Sequence, residues 1–94
     1  MIVRISGEGQ YRLDDSHHDR LNTLDDAVVA AVDAGDAAAY AERFGALLAY
    51  VREEGAELAG DELKASDFIL PPPDLSFEEA GQEFTGDGLI PDPA

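Results

Sequence analysis

Two adjacent histidines, His17 and His18, sit among Asp14, Asp15 and Asp19, and imidazole with carboxylate is a donor set that binds zinc. Spacing limits the idea. Neighbouring residues on a helix point about 100° apart, so the two rings do not converge on one ion, and only His18 with Asp14 or with Asn22 falls at ligating spacing. A solvated helix start explains the same residues, because carboxylates complement the positive end of the helix dipole without any metal. No metal and no cofactor are expected.

The other chemistry-bearing residues lead to the same expectation. GEG in SGEGQY is too short to cradle a phosphate: position 12 is arginine where GxGxxG needs its last glycine, and no GK[ST] follows. The serines at 6, 16, 66 and 76 lie in no GxSxG elbow. Acid pairs occur at Asp14 and Asp15, Asp25 and Asp26, Glu53 and Glu54, and Glu78 and Glu79; with 21 acidic residues in the chain such pairs arise without a role in acid–base catalysis. There is no cysteine, which removes thiolate chemistry, disulfides and cysteine metal sites. A non-enzymatic protein is expected.

Charge narrows the partners. Against the 21 acidic residues stand 6 basic ones, for a formal net charge of -15, with Lys64 the one lysine. Binding to nucleic-acid phosphates or to anionic lipid requires basic patches, so neither is expected directly. Such charge repels itself at low ionic strength, and salt relieves it over a Debye length of about 3 Å at 1 M. The Asp-rich, lysine-poor surface is similar to those of proteins from salt-loving cells. No apolar run approaches the ~18 residues of a membrane span and no signal peptide is read at MIVRIS, so a cytoplasmic protein is expected.

One domain over residues 1–94 is expected, in three parts. Leu, Ile, Val and Phe number 23 of the 94 residues, enough to drive folding. Residues 1–13 read as a β-hairpin, MIVRI and YRL around a glycine turn, with Tyr11 and Leu13 sharing a face. Residues 14–55 read as an antiparallel helical hairpin. Asp14, Asp15 and Ser16 are all good N-caps, Ser16 with Asp19 fitting the broad capping pattern; Leu21, Leu24, Val28, Ala31 and Val32 form the first buried stripe, and Gly35 ends it. Asp36 caps the second helix, Tyr40, Phe44, Leu47, Leu48 and Val51 form its stripe, and Gly55 stops it. Gly45 costs that helix about 1 kcal/mol relative to alanine, which argues for close packing there. Residues 56–94 supply a third strand at Phe68–Leu70, at the edge of the hairpin, then the Pro71, Pro72 and Pro73 segment. A short helix from Phe77 follows, behind a Ser76 and Glu79 capping box. The class is α+β: a small N-terminal β-hairpin with a third edge strand, packed on an αα-hairpin, plus a short C-terminal helix.

Apolar residues that a core this small does not wholly absorb are candidates for a partner surface: Phe68, Phe77, Tyr50 and Phe84, with Val29, Leu89 and Ile90 beside them. A binding module is the class this suggests.

MIVRISGEGQY, LNTLDDAVVAAVDAGD, VREEG, DELKASDFILPPPDLSFEEA and the closing GLIP, in that order, resemble the PspA-associated protein family of archaea and actinobacteria. The matching positions are Gly7, Gly9, Gln10 and Tyr11 in the turn, Asp67, Leu70, Pro71 and Pro72 in the extended segment, and Leu89, Ile90 and Pro91 at the end. The resemblance implies an accessory role beside PspA, a coiled-coil, membrane-remodelling protein of the phage-shock response. It also implies that the membrane is reached only through that partner. The acidic surface would suit a haloarchaeal member. The competing expectation, from charge alone, is an acidic decoy that mimics nucleic acid and occupies a DNA-binding protein, with Asp14, Asp19, Asp25, Asp26 and Asp33 imitating phosphates.

Overall fold

The computed structural model describes residues 1–58, 65–84 and 88–90. In β1 (Ile2–Ile5) side chains alternate, Val3 and Ile5 fully buried and Arg4 exposed. Gly7, at φ 78°, makes the turn, and Glu8 N–H closes it on Ile5 C=O at 3.0 Å. β2 (Gly9–Arg12) returns antiparallel, pairing Val3 with Tyr11. β4 (Phe68–Leu70) pairs with the free side of β1 as expected, and it does so in parallel, with Arg4 opposite Ile69 and Ile5 opposite Leu70. A fourth strand, β3 (Ala56–Glu57), adds antiparallel to β2, giving the order β3-β2-β1-β4. Two residues carry no periodicity, so β3 leaves no trace in the sequence.

Helices cover one face of this sheet. Of the three candidate caps it is Asp14 that acts first: it accepts a 3.2 Å hydrogen bond from Ser16 N–H and opens a 3₁₀ turn, Asp15–His17, which runs into α1 (His18–Asp33). Ser16 therefore lies inside the turn. Gly35, at φ 69°, ends the segment, and Asp36 caps α2 (Ala37–Glu54) by accepting from Ala39 N–H at 3.1 Å. Arg43 Nη1 donates to Ala27 C=O at 2.9 Å, tying the two helices together side to side. The α2 stripe is buried as read: Tyr40, Phe44, Leu47, Leu48 and Val51. On α1 the buried set is Leu21, Asp25, Val28, Val29 and Ala31, with Leu24 and Val32 half-buried.

The capping box at Ser76 and Glu79 starts α3 (Phe77–Glu83). Beneath it Tyr40, Phe44 and Phe84 form an aromatic cluster, with Phe44 and Phe84 centroids 5.5 Å apart, edge to face. Two expectations are corrected. Phe84 is fully buried, and Val29 is also core, so neither contributes to an outward surface. Gly45 faces open space, whereas at Gly55 an added Cβ would crowd Tyr11 Cβ at 2.9 Å. The close approach in α2 is thus at its end.

Candidate functional site

The family-like positions hold the sheet together. Glu8, beside the Gly7 turn, is the hub of one cluster: Tyr11 Oη donates to its Oε2 at 2.7 Å and Arg52 Nε at 2.8 Å, while Arg52 Nη2 reaches Oε1. These hydrogen bonds from Arg52 and Tyr11 favour the carboxylate and pull Glu8 from 4.5 down to about 2. The same contacts raise Tyr11 and Arg52. The strand turn is thereby fastened to the end of α2. Gln10 works sideways: its Nε2 donates to Ser66 Oγ at 2.8 Å, and its carbonyl accepts from Leu58 N–H at 2.9 Å.

Asp67 fixes the register of β4. Its Oδ2 accepts from Ile2 N–H at 2.7 Å while its own N–H donates to Ile2 C=O at 2.8 Å, so one residue satisfies both backbone groups of Ile2. Leu70 and Pro71 are buried, and Pro72 and Pro73 leave the strand to line a shallow groove of about 480 Å³ with Ser6, Gly7, Glu8 and Asp74. With no N–H to offer, the prolines stop the ladder there.

At the other end of the chain lies an arrangement that the sequence reading missed. Asp25 has no exposed surface, and its carboxylate accepts from Leu89 N–H at 3.2 Å and Ile90 N–H at 3.0 Å. Asn22, one turn earlier, donates from Nδ2 to Ile90 C=O at 2.9 Å. Asn22 and Asp25 thus bind the backbone of Leu89 and Ile90 as a neighbouring strand would. Burial lifts the Asp25 carboxyl above its ordinary range, and the two N–H donors oppose this in part. The signal available in the sequence was an aspartate at a core position, four residues from Leu21 and three from Val28. Pro91 lies outside the described residues.

The histidines are occupied by aromatic rings. His17 Nδ1 is hydrogen-bonded to Tyr50 Oη with the rings edge to face, and the His18 ring lies 5.3 Å from that of Phe68. Among the described residues no cluster of three or more His, Asp or Glu side chains is arranged to hold a metal ion.

The four partner-surface candidates do not form one patch. Phe84 is core. Phe77 is half-buried against Tyr40, with centroids 5.7 Å apart; Tyr50 and Phe68 are half-buried on the two histidines. Among the described residues the large apolar side chain that stands exposed is Ile69, 58% accessible, at the centre of β4. It points away from the helices, beside Arg4.

No helix among the described residues is long and apolar enough to cross a membrane. Neither the curated proteins nor the solved structures contain a match to the chain. The model of one family, described as PspA-Associated protein, matches residues 1–92, taking in the Glu8 turn, the Asp67 clamp and the segment held by Asp25. Coverage of that extent decides the matter, and the chain belongs to the PspA-associated protein family.

Proposed function

We propose that this chain is a non-enzymatic accessory protein that binds PspA and modulates the phage-shock, membrane-stress response. The observation that carries the reading is the family match over residues 1–92. Its partner is a coiled-coil, membrane-remodelling protein, and the chain works in the cytoplasm, at the membrane periphery only through that partner. Two features support this. The family-like side chains are engaged in turn, register and tail contacts, so they build a scaffold. The net charge of -15 opposes direct adsorption to anionic lipid and favours arrival through a protein.

The effect on the partner is measurable. PspA from the same organism is sedimented with and without a stoichiometric amount of this protein, at the salt concentration of the native cytoplasm. A shift in the sedimenting fraction or in assembly size is expected. Co-sedimentation without any change in PspA assembly would reduce the role to a passive passenger, and no co-sedimentation would overturn the reading.

A further inference from the structure

Ile69 carries the inference furthest. The triplet Phe68, Ile69, Leu70 is a continuous apolar run, and β4 pairs in parallel with β1. Both are marks of a strand covered on both faces, usually by helices. Here helices cover one face, where Val3, Ile5 and Leu70 are fully buried. On the other, Ile69 remains 58% accessible.

Among the described residues that face carries two arginines beside one carboxylate, Asp67, which is bonded to Ile2 N–H. Arg4 lies opposite Ile69 in register, and Arg12, on β2, lies opposite Ile2 on the same face, diagonal to Arg4. Both arginines are exposed, and among the described residues neither guanidinium forms an ion pair. By contrast Arg52 is paired with Glu8 and Arg43 is bonded to Ala27 C=O; Arg20, on α1, is outside the ion pairs of the described residues as well. Gln10, between Arg4 and the edge strand β3, is tied to Ser66. An exposed isoleucine flanked by two arginines that form no ion pair among the described residues, within a strongly anionic protein, matches an apolar row bordered by carboxylates.

We propose that the outer sheet face at Ile69, Arg4 and Arg12 is the docking surface, and that its occupant is an amphipathic helix of PspA whose apolar row is bordered by Asp and Glu. This names the surface for the association proposed above and rests on it. The bound helix completes the second layer that a parallel β1 and β4 pair calls for, and its acidic border meets the two arginines. Phosphates and anionic headgroups are the other ligands that two arginines would attract, but the net charge of -15 repels extended anionic surfaces.

The test is a calorimetric titration of purified PspA from the same organism with four forms of this protein. These are the unmodified chain, R4E/R12E, Ile69→Thr, and Ala41→Glu on the exposed side of α2 as a control. All substituted side chains are exposed, and a thermal melt of each variant verifies folding. R4E/R12E is expected to weaken binding by about tenfold or more, Ile69→Thr by a few-fold, and Ala41→Glu to leave it unchanged. A milder R4Q/R12Q variant gives an intermediate loss and serves if the glutamates perturb the fold. Binding of the unmodified protein with equal affinity in the sheet variants overturns this surface and leaves the association standing. Loss in Ala41→Glu alone transfers the docking site to the helices. No binding by the unmodified protein overturns the association and, with it, the occupant assigned to the sheet.

Discussion

Asp25 and Ile90, 65 residues apart in the chain, are joined inside the core by a hydrogen bond of 3.0 Å from Ile90 N–H to Asp25 Oδ2. Leu89 N–H donates to the other oxygen and Asn22 Nδ2 to the Ile90 carbonyl, so a helix holds the last described residues by their backbone. Ile90 itself is fully buried. The segment is an integral part of the core, and its anchor is a carboxylate on α1.

Gly88 is predicted to be intolerant of any side chain. Its φ is 76°, and a Cβ would lie 2.8 Å from Asp25 Cγ. Gly88→Ala should destabilise by about 2 to 3 kcal/mol, combining backbone strain with displacement of the carboxylate. Gly45→Ala is the matched opposite, since open space surrounds an exposed helical position, and it should stabilise by about 0.8 to 1 kcal/mol. Urea unfolding of both variants reads the contrast.

Asp25→Ala should cost about 2 to 3 kcal/mol, because it leaves the N–H groups of Leu89 and Ile90 without an acceptor next to the core. Phe84→Ala should cost about 3 to 5 kcal/mol by opening a cavity beneath Tyr40 and Phe44. Ile69→Thr, on the outer face, should stay within about 0.5 kcal/mol. Equal losses at positions 84 and 69 in denaturant melts would refute the assignment of one to core and the other to surface.

Two carboxyls give opposite pH dependences. Glu8 is lowered from 4.5 to about 2, first by its hydrogen bond from Arg52, so its stabilisation is present above 4.5 and is lost as pH falls towards 2. Asp25 is raised by burial above 3.8. The folded chain therefore holds its proton longer than the unfolded one, and the stability from this group falls as pH rises from 3.8 through its folded value. Glu8→Gln should flatten the acid limb of a stability profile below pH 4.5, and added salt should weaken the same limb, since Arg52 is 40% accessible. Asp25→Asn should remove the opposing slope. Urea midpoints across the acidic range check both.

Salt should raise the Tm of the whole protein. Screening weakens the Glu8 and Arg52 pair, but it also relieves the self-repulsion of a net charge of -15, which is the larger effect. Melts from low salt to molar potassium chloride should rise steadily; a flat or falling series would contradict this.

Much of the scaffold was legible because punctuation and period agree. Gly35, Asp36 and Gly55 bound α2, whose Tyr40, Phe44, Leu47, Leu48 and Val51 stripe is the buried one, and Ser76 with Glu79 marks α3. What stayed hidden has physical causes. Two-residue β3 is held by pairing alone. Which of Asp14, Asp15 and Ser16 caps first was open, because each can cap, and the 3₁₀ turn selects Asp14. Asp25 was masked by abundance, the one carboxylate buried among the described residues of a chain with 21 acidic residues. Tyr50, Phe68 and Phe77 were legible as half-buried aromatics, but the rings that pack on them, His17, His18 and Tyr40, come together only in the fold. Ile69 is exposed because it is the middle residue of a strand whose ends turn inward or sideways, an orientation set by the parallel register with Arg4.

Association with PspA is the central claim, and affinity capture of the tagged protein from its own cells, at native salt and with mass spectrometry of the eluate, tests it most directly. The account predicts stoichiometric recovery of PspA that persists as salt is raised, because an apolar row carries part of the contact. Recovery of a DNA-binding protein in its place, released steeply by added salt, would contradict it and establish the acidic decoy instead.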